Sequence, residues 1–483
     1  MSLRQKTISG LIWTFAEQFA GKGIGFIVQI VLARILMPEE FGLIAMIMVF
    51  IGIGNSMVDS GMTSSLIRTV NPDQRDYSTV FFINIIVSFF VYGIIYLSAP
   101  AIAAFYEQPI LVDLVRVYAL IIVIQSFVTV QITRMTKEMN FRIQVIILLP
   151  SIIIGGIVGI TMALNGWGVW SLVYMALTRT LISTVQYWFY TGWRPDLLID
   201  SKILWKHFNF GYKLTLSGLL FTLFNNIYNI VFGKYFSATE VGYYTKSNEL
   251  QRFPVVTMAT ALNKVTYPLF AEIQDDREKL HQVYKKLMKL VLFLTAPLLT
   301  LGFVLAEPLF QFILTEKWMP AVPYFRILCL VGLFYPIHSY NLNILKVKGR
   351  SDVYLRLTII KRAITLLGIF ILIPYGIFAL LYFQVFTNTL SLYINSYYSG
   401  YYINYPANKQ FKDLLPIILI AIIPGFLVFY LKELLSAVDW ASIIIWTATY
   451  MLIYLSVHLF LNTTPYTEIK NLIREQLANN KTN

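Results

Sequence analysis

Thr79-Val-Phe-Phe-Ile-Asn-Ile-Ile-Val-Ser-Phe-Phe-Val-Tyr-Gly-Ile-Ile-Tyr-Leu-Ser-Ala-Pro-Ala-Ile-Ala103 runs 25 residues without a charge. About 20 residues at 1.5 Å each cross a hydrocarbon core of roughly 30 Å, so this stretch reads as one membrane span. Backbone groups in lipid must bond within their own segment, which makes the span a helix. A β-barrel strand would alternate instead, and this stretch does not. Outward from it, apolar stretches recur along the whole chain, at 10–33, 41–66, 79–103, 112–133, 146–165, 168–190, 208–232, 241–267, 286–306, 321–345, 353–373, 376–400, 413–431 and 440–461. The class is therefore an all-α polytopic membrane protein with fourteen transmembrane helices and short loops. Composition agrees: 57% of the 483 residues are hydrophobic and 13% charged, against about a quarter charged in soluble proteins.

The loops set the orientation. On one side lie Arg4, Lys6, Arg68, Arg75, Arg134, Lys137, Arg142, Arg194, Lys202, Lys206, Lys213, the run from Lys264 to Lys289, Lys346, Lys348, Arg350, Arg356, Lys409 and Lys412, and the tail's Lys470, Arg474 and Lys481. The opposite side holds Arg34, Lys234, Lys317 and Lys432. Cytoplasmic loops collect Lys and Arg, so both termini are expected in the cytoplasm. The net charge of +13 is mostly topology. Nucleic acid would require a basic soluble surface, and none is expected. The segment from Gly10 to Ala33 is too long for a signal-peptide core and reads as a retained first span.

A faint repeat divides the chain. Arg34-Ile-Leu-Met-Pro-Glu-Glu40-Phe-Gly42 is echoed by Lys234-Tyr-Phe-Ser-Ala-Thr-Glu240-Val-Gly242. Cation, glutamate and glycine keep their relative positions, at equivalent places in two six-helix blocks. The expected domains are a lobe at 1–195, a second at 196–405, two additional spans at 406–465 and a cytoplasmic tail at 466–483. Parallel repeats of this sort build transporters with a site between the halves.

Some charges remain at bilayer depth: Lys22, Arg116, Arg179, Lys246, Arg252, Arg326, Lys361 and Arg362. A charge at mid-membrane costs roughly 2.5–3.5 kcal/mol on the insertion scale. The acids available to pair them are Glu17, Asp59 and Glu249, the last within helical reach of both Lys246 and Arg252. The excess of cations attracts anions, and the planar fork of Arg suits phosphate. Each cation taken singly can also be a structural ion pair or a snorkelling side chain. Lys22 and Arg179, near the middle of their spans, have no route to either surface. Asn225, Asn226, Asn229 and Tyr228 are candidates to line the cavity, or to bond helix to helix. Glu17, Asp59 and Glu249 are the candidates for coupling to H+ or Na+. Gly21, Gly23 and Gly25 around Lys22 suit close helix approach. The histidines and Cys329 show no metal or disulfide pattern. No Walker-type phosphate loop is present, so neither a cofactor nor an enzymatic activity is expected.

The opening from Thr7 to Trp13, and from Val31 through Arg34, Pro38 and Gly42, resembles the bacterial polysaccharide flippases. These are the O-antigen and exopolysaccharide transporters of the multidrug/oligosaccharidyl-lipid/polysaccharide exporter superfamily. Asp59-Ser-Gly61 through Arg68 is similar to that family's end of span 2. The resemblance implies a V-shaped, drug-antiporter-like pair of six-helix lobes around a cationic cavity. It implies transport of a polyprenyl-diphosphate-linked oligosaccharide from the cytoplasmic to the outer leaflet by alternating access, for cell-surface polysaccharide synthesis. A polysaccharide polymerase and glycosyltransferases are the partners it suggests. The rival readings are an ion-coupled multidrug antiporter, which would want an acidic cavity, and a membrane-embedded polymerase or ligase, which would want a larger outer loop.

Overall fold

A computed structural model describes residues 20–59, 61–435, 440–468 and 470. In chain order its helices are α1 Lys22–Ile35, α2 Pro38–Asp59, α3 Met62–Arg68, α4 Gln74–Tyr106, α5 Leu111–Tyr118, α6 Leu120–Lys137, α7 Phe141–Leu164, α8 Trp170–Tyr190, α9 Ser201–Asn225 and α10 Ile227–Tyr235. They continue as α11 Ala238–Glu272, α12 Arg277–Val304, α13 Ala306–Ile313, α14 Val322–Gly332, α15 Tyr335–Val347, α16 Ser351–Leu372, α17 Ile377–Tyr402, α18 Ala407–Leu435 and α19 Trp440–Phe460. No strand occurs among the described residues.

Ten of these segments are long and apolar enough to cross a membrane, and the bent pair α9–α10 makes an eleventh. The chain is a multi-pass membrane protein. The remaining expected spans fall on α1, α8 and α11. Residues 10–19 of the first lie outside the described residues. At 21 and 35 residues, α8 and α11 have the length to cross but are too polar to qualify. The first carries Arg179 and Gln186, the second Glu240, Lys246, Glu249 and Arg252.

Several helices reach beyond their apolar stretches, because their ends are capped. Asp73 and Asp76 form a reciprocal capping box that starts α4 before Thr79. Asp200 accepts from the backbone of Lys202 and Ile203 and starts α9. Asp276 accepts from the Lys279 backbone, and α12 begins within what reads from sequence as a basic loop. That extension is amphipathic: Leu280, Tyr284 and Met288 recur at one-turn spacing and are fully buried.

The described residues form two compact units, one ending at Thr245 and one starting at Lys246, with the boundary inside α11. In the first, α7 is a spine of small residues. A Cβ on Gly156 would lie 2.7 Å from Val28 of α1, and one on Gly155 2.9 Å from the Arg179 Cβ of α8. The three helices therefore pack closely around these positions. At the start of α1 a Cβ on Gly21 would lie 2.9 Å from Leu148, whereas Gly23 and Gly25 have no such neighbour. The close approach read from that glycine cluster rests on Gly21 alone among the described residues.

The repeat lies within the same unit. A Cβ on Gly42 would fall 1.7 Å from the Ala238 carbonyl oxygen, and one on Gly242 1.9 Å from the Pro38 carbonyl oxygen. Each glycine thus admits the start of the other's helix. The caps match as well. Glu40 accepts from the Met37 backbone at 2.6 Å and Glu240 from the Ser237 backbone at 3.1 Å. In the second unit one apolar core holds Phe270, Tyr284, Met288, Tyr340, Tyr405, Tyr450 and Tyr454. There α18 and α19 pack on α12, and the Tyr454 hydroxyl donates to the Phe293 carbonyl at 2.8 Å.

Candidate functional site

The first unit contains a cavity of about 480 Å³. Its walls are Asn55, Ser56 and Asp59 of α2, Thr63 of α3, and Gln125, Ser126, Thr129, Thr133 and Thr136 of α6, with Val58, Ile67, Ile122 and Ile132 filling between. The spacing of Gln125, Thr129 and Thr133 places them on one face of α6. Thr129 donates to the Gln125 carbonyl at 3.0 Å and Thr133 to the Thr129 carbonyl at 2.8 Å. Hydroxyls bonded back along their own helix keep oxygen lone pairs free for a ligand. Asp59 is the only charged residue among the described wall residues, and its Oδ1 accepts from the Thr63 hydroxyl at 2.5 Å. The cavity is therefore rich in acceptors, which suits a cation or the hydroxyl groups of a sugar.

Local backbone geometry fixes Asp59. Gly61, two residues on, has φ +63, a conformation that glycine adopts freely. A Cβ there would also meet the Gly211 carbonyl of α9 at 2.5 Å. Gly61 is thus pinned against α9. The Lys137 ammonium closes the other end of α3, donating to the carbonyls of Leu66, Ile67 and Thr69.

A helix break lies beside this wall. α9 and α10 meet at Asn226 with a bend of 48°, and the Asn226 side chain donates to the Thr222 carbonyl at 2.9 Å. Thr222 stands 3.3 Å from the hydroxyl of Ser56. The Thr222 carbonyl also accepts from the Asn226 backbone at 3.2 Å, so the side chain doubles the last bond of α9 at the break. Asn225 is exposed. Asn229 accepts from Thr245 at 3.5 Å. Tyr228 is buried against Phe232 and Tyr244, so it belongs to an aromatic cluster.

The intramembrane cations fall into four groups. Lys22 and Arg179 are exposed and make no hydrogen bond or ion pair with any described residue; α1 and α8, which carry them, both pack on α7. Lys246, Arg326 and Arg116 are held by protein. Lys246 is 4% exposed and bonds Glu249 at 2.9 Å. Arg326 meets Glu307 at 3.1 Å, and Lys432 meets the other oxygen of that carboxylate at the same distance. Arg116 lies 4.4 Å over the Tyr96 ring. Arg252 is exposed, 6.0 Å from the centre of the Tyr335 ring. Lys361 and Arg362 are half-buried on α16, and Lys361 donates to Asn395 at 2.8 Å. Glu17 lies outside the described residues.

Sequence reading missed the wall of α6, although the four-residue spacing of Gln125, Thr129 and Thr133 was there to be read. It also missed Glu307, which lies 19 residues from Arg326, beyond any helical spacing rule.

The family model described as polysaccharide biosynthesis protein matches residues 31–323. Among similar proteins, the lipopolysaccharide biosynthesis protein WzxC of Escherichia coli K12 is 25% identical over 75% of this chain and 74% of its own length. The succinoglycan biosynthesis transport protein ExoT of Rhizobium meliloti is 23% identical over 70% and 69%. Among solved structures, the lipid II flippase MurJ in an inward closed conformation matches with a TM-score of 0.72 at 16% identity, covering 94% of this chain and 99% of that one. An inward-facing multidrug transporter of the MATE family matches with a TM-score of 0.57 at 16% identity, over 87% and 96%. These structures share the fold of this chain. With the family model matching well over half its length, the chain belongs to the polysaccharide biosynthesis protein family.

Proposed function

We propose that this protein is a flippase rather than an enzyme, moving a polyprenyl-diphosphate-linked oligosaccharide from the cytoplasmic to the outer leaflet for surface polysaccharide synthesis. The observation that carries the reading is the pairing of family membership with a whole-chain fold like that of a lipid II flippase. In this account fourteen spans form two six-helix lobes, 1–195 and 196–405, followed by a helix pair at 406–465 and a tail at 466–483, with both termini cytoplasmic. The lobes rock to give alternating access. Lys22 and Arg179 take the diphosphate, since they make no hydrogen bond or ion pair with any described residue and an unpaired intramembrane charge is otherwise costly. Arg252, Lys361 and Arg362 extend the anion path, while Lys246 and Arg326 reach substrate only by exchanging their carboxylate partners. Of the polar candidates, exposed Asn225 and half-buried Asn229 line the sugar route, while Asn226 holds the helix break and Tyr228 backs it from its aromatic cluster. Asp59, with Glu17 and Glu249, couples transport to H+ or Na+. The polymerase and glycosyltransferases of the same glycan are its functional partners.

A second reading, an ion-coupled multidrug antiporter, is favoured by one observation: the described cavity carries a carboxylate and no basic wall residue. Complementation of a strain lacking its own flippase separates the two. A charge-assisted hydrogen bond is worth about 1.5–3 kcal/mol, or roughly 10–100-fold. Lys22→Ala and Arg179→Ala are expected to lower polysaccharide export by that factor at unchanged protein level. Full export by both variants refutes the anion-binding role.

A further inference from the structure

The second unit contains a hydrogen-bond chain whose polarity is fixed at both ends. Lys361 of α16 donates to Asn395 Oδ1 at 2.8 Å, and Asn395 Nδ2 faces His338 Nδ1 at 3.2 Å. His338 Nε2 bonds Asn388 Oδ1, and Asn388 Nδ2 donates to the Val331 carbonyl. An ammonium can only donate and a carbonyl can only accept. Between them each amide has one allowed orientation, and the imidazole one allowed tautomer, neutral with its proton on Nε2. Asn395 is 1% exposed, and Lys361 and His338 are each half-buried.

Suppose a second proton arrives at His338 Nδ1. It then confronts the Asn395 amide NH2, donor against donor. Rotating the amide restores that bond but turns the NH2 group on Lys361, which can accept it only as a neutral amine. The proton balance is closed: what His338 gains at Nδ1, Lys361 gives up from Nζ. We propose that Lys361, Asn395 and His338 form a single-proton site in which protonation of the imidazole and of the lysine exclude one another. Such a site is one through which a proton gradient acts on the second unit. It is separate from the carboxylates assigned to coupling above.

The surroundings leave this exchange to the pair. On α16, Arg362 lies beside Lys361 and has its own contacts. From α12, Tyr284 is committed to Asn341 at 2.6 Å. From α14, Arg326 is committed to Glu307, and buried Cys329 belongs to the same helix. On α15 itself Ser339 accepts from Asn263 of α11 at 2.7 Å. The α17 groups that touch the ring are Asn388 and Asn395, neither of which titrates.

The test is a pH titration of the purified full chain labelled with 15N-histidine, with His338→Gln assigning the signal. In the wild type at pH 7.5 the ring is expected neutral with its proton on Nε2. In Lys361→Gln the ring takes its second proton at a pH about one unit higher, tenfold in proton affinity, as for strongly coupled sites. Asn395→Leu, which cuts the bridge, lets both groups charge together. A proton on Nδ1 at pH 7.5 in the wild type overturns the proposal without any variant, as does an unmoved titration in Lys361→Gln. No step needs a transported substrate, so this outcome is independent of the flippase assignment.

Discussion

Glu307 illustrates how single residues meet the demands of the membrane. One carboxylate serves both Arg326 and Lys432, at 3.1 Å each. Burial raises its proton affinity, but the Lys432 hydrogen bond and the two positive charges outweigh this and hold the carboxyl below the usual glutamate range. A carboxyl depressed in the folded state adds stability above its unfolded value of about 4.3, and that stability is lost as pH falls through the folded value. The group is half-exposed, so the contribution is that of a surface pair, about 0.2–1 kcal/mol. Melting curves should therefore place Glu307→Gln below the wild type by that amount from pH 6 to 8, with the gap closing below about pH 4. A gap that persists in acid contradicts the ion-pair account. The Lys246–Glu249 bond was legible because three residues of helix connect its ends. The Glu307 clamp, joining residues on three helices, was not. The same limit hid His338: its partners Asn388 and Asn395 become neighbours only when α15 packs on α17.

At the scale of the element, the repeated motif proved more informative than its weak residue match suggested. The matching cation, glutamate and glycine positions correspond to two identical helix starts, each capped by its own glutamate and each lying against the other's glycine. A methyl group at either glycine must move backbone, because its contact is a carbonyl oxygen rather than a flexible side chain. Gly42→Ala and Gly242→Ala are each expected to cost about 1–3 kcal/mol, the range for overpacking. Gly93→Ala, with nothing within 4 Å, should gain roughly 0.5–1 kcal/mol from helix propensity. Denaturation of the purified variants checks all three, and equal stability of Gly42→Ala and Gly93→Ala contradicts the crossing. Apolar runs located the helices well but not their ends. Hydropathy follows lipid contact, whereas caps such as Asp73, Asp200 and Asp276 extend helices past it. The break at Asn226 lies within an apolar stretch, so hydropathy alone could not reveal it.

For the whole molecule, membrane class and helical architecture follow from composition and run length alone, because lipid leaves the backbone few alternatives. Family membership required the short motifs at Arg34–Gly42 and Asp59–Arg68. Their structural sense is local: a mutual glycine contact in the first, the Gly61 turn in the second. Substrate was not legible in the same way, since a diphosphate is recognised by side chains brought together from distant parts of the chain. The central claim is that Lys22 and Arg179 carry an anionic lipid-linked glycan across the bilayer. The most direct measurement is reconstitution of the purified protein into liposomes holding a fluorescent polyprenyl-diphosphate oligosaccharide, with a quencher outside to count molecules that change leaflet. The account predicts protein-dependent movement that the Lys22→Ala, Arg179→Ala double variant loses. Movement by the double variant at the wild-type rate, or none by the wild type, would contradict it.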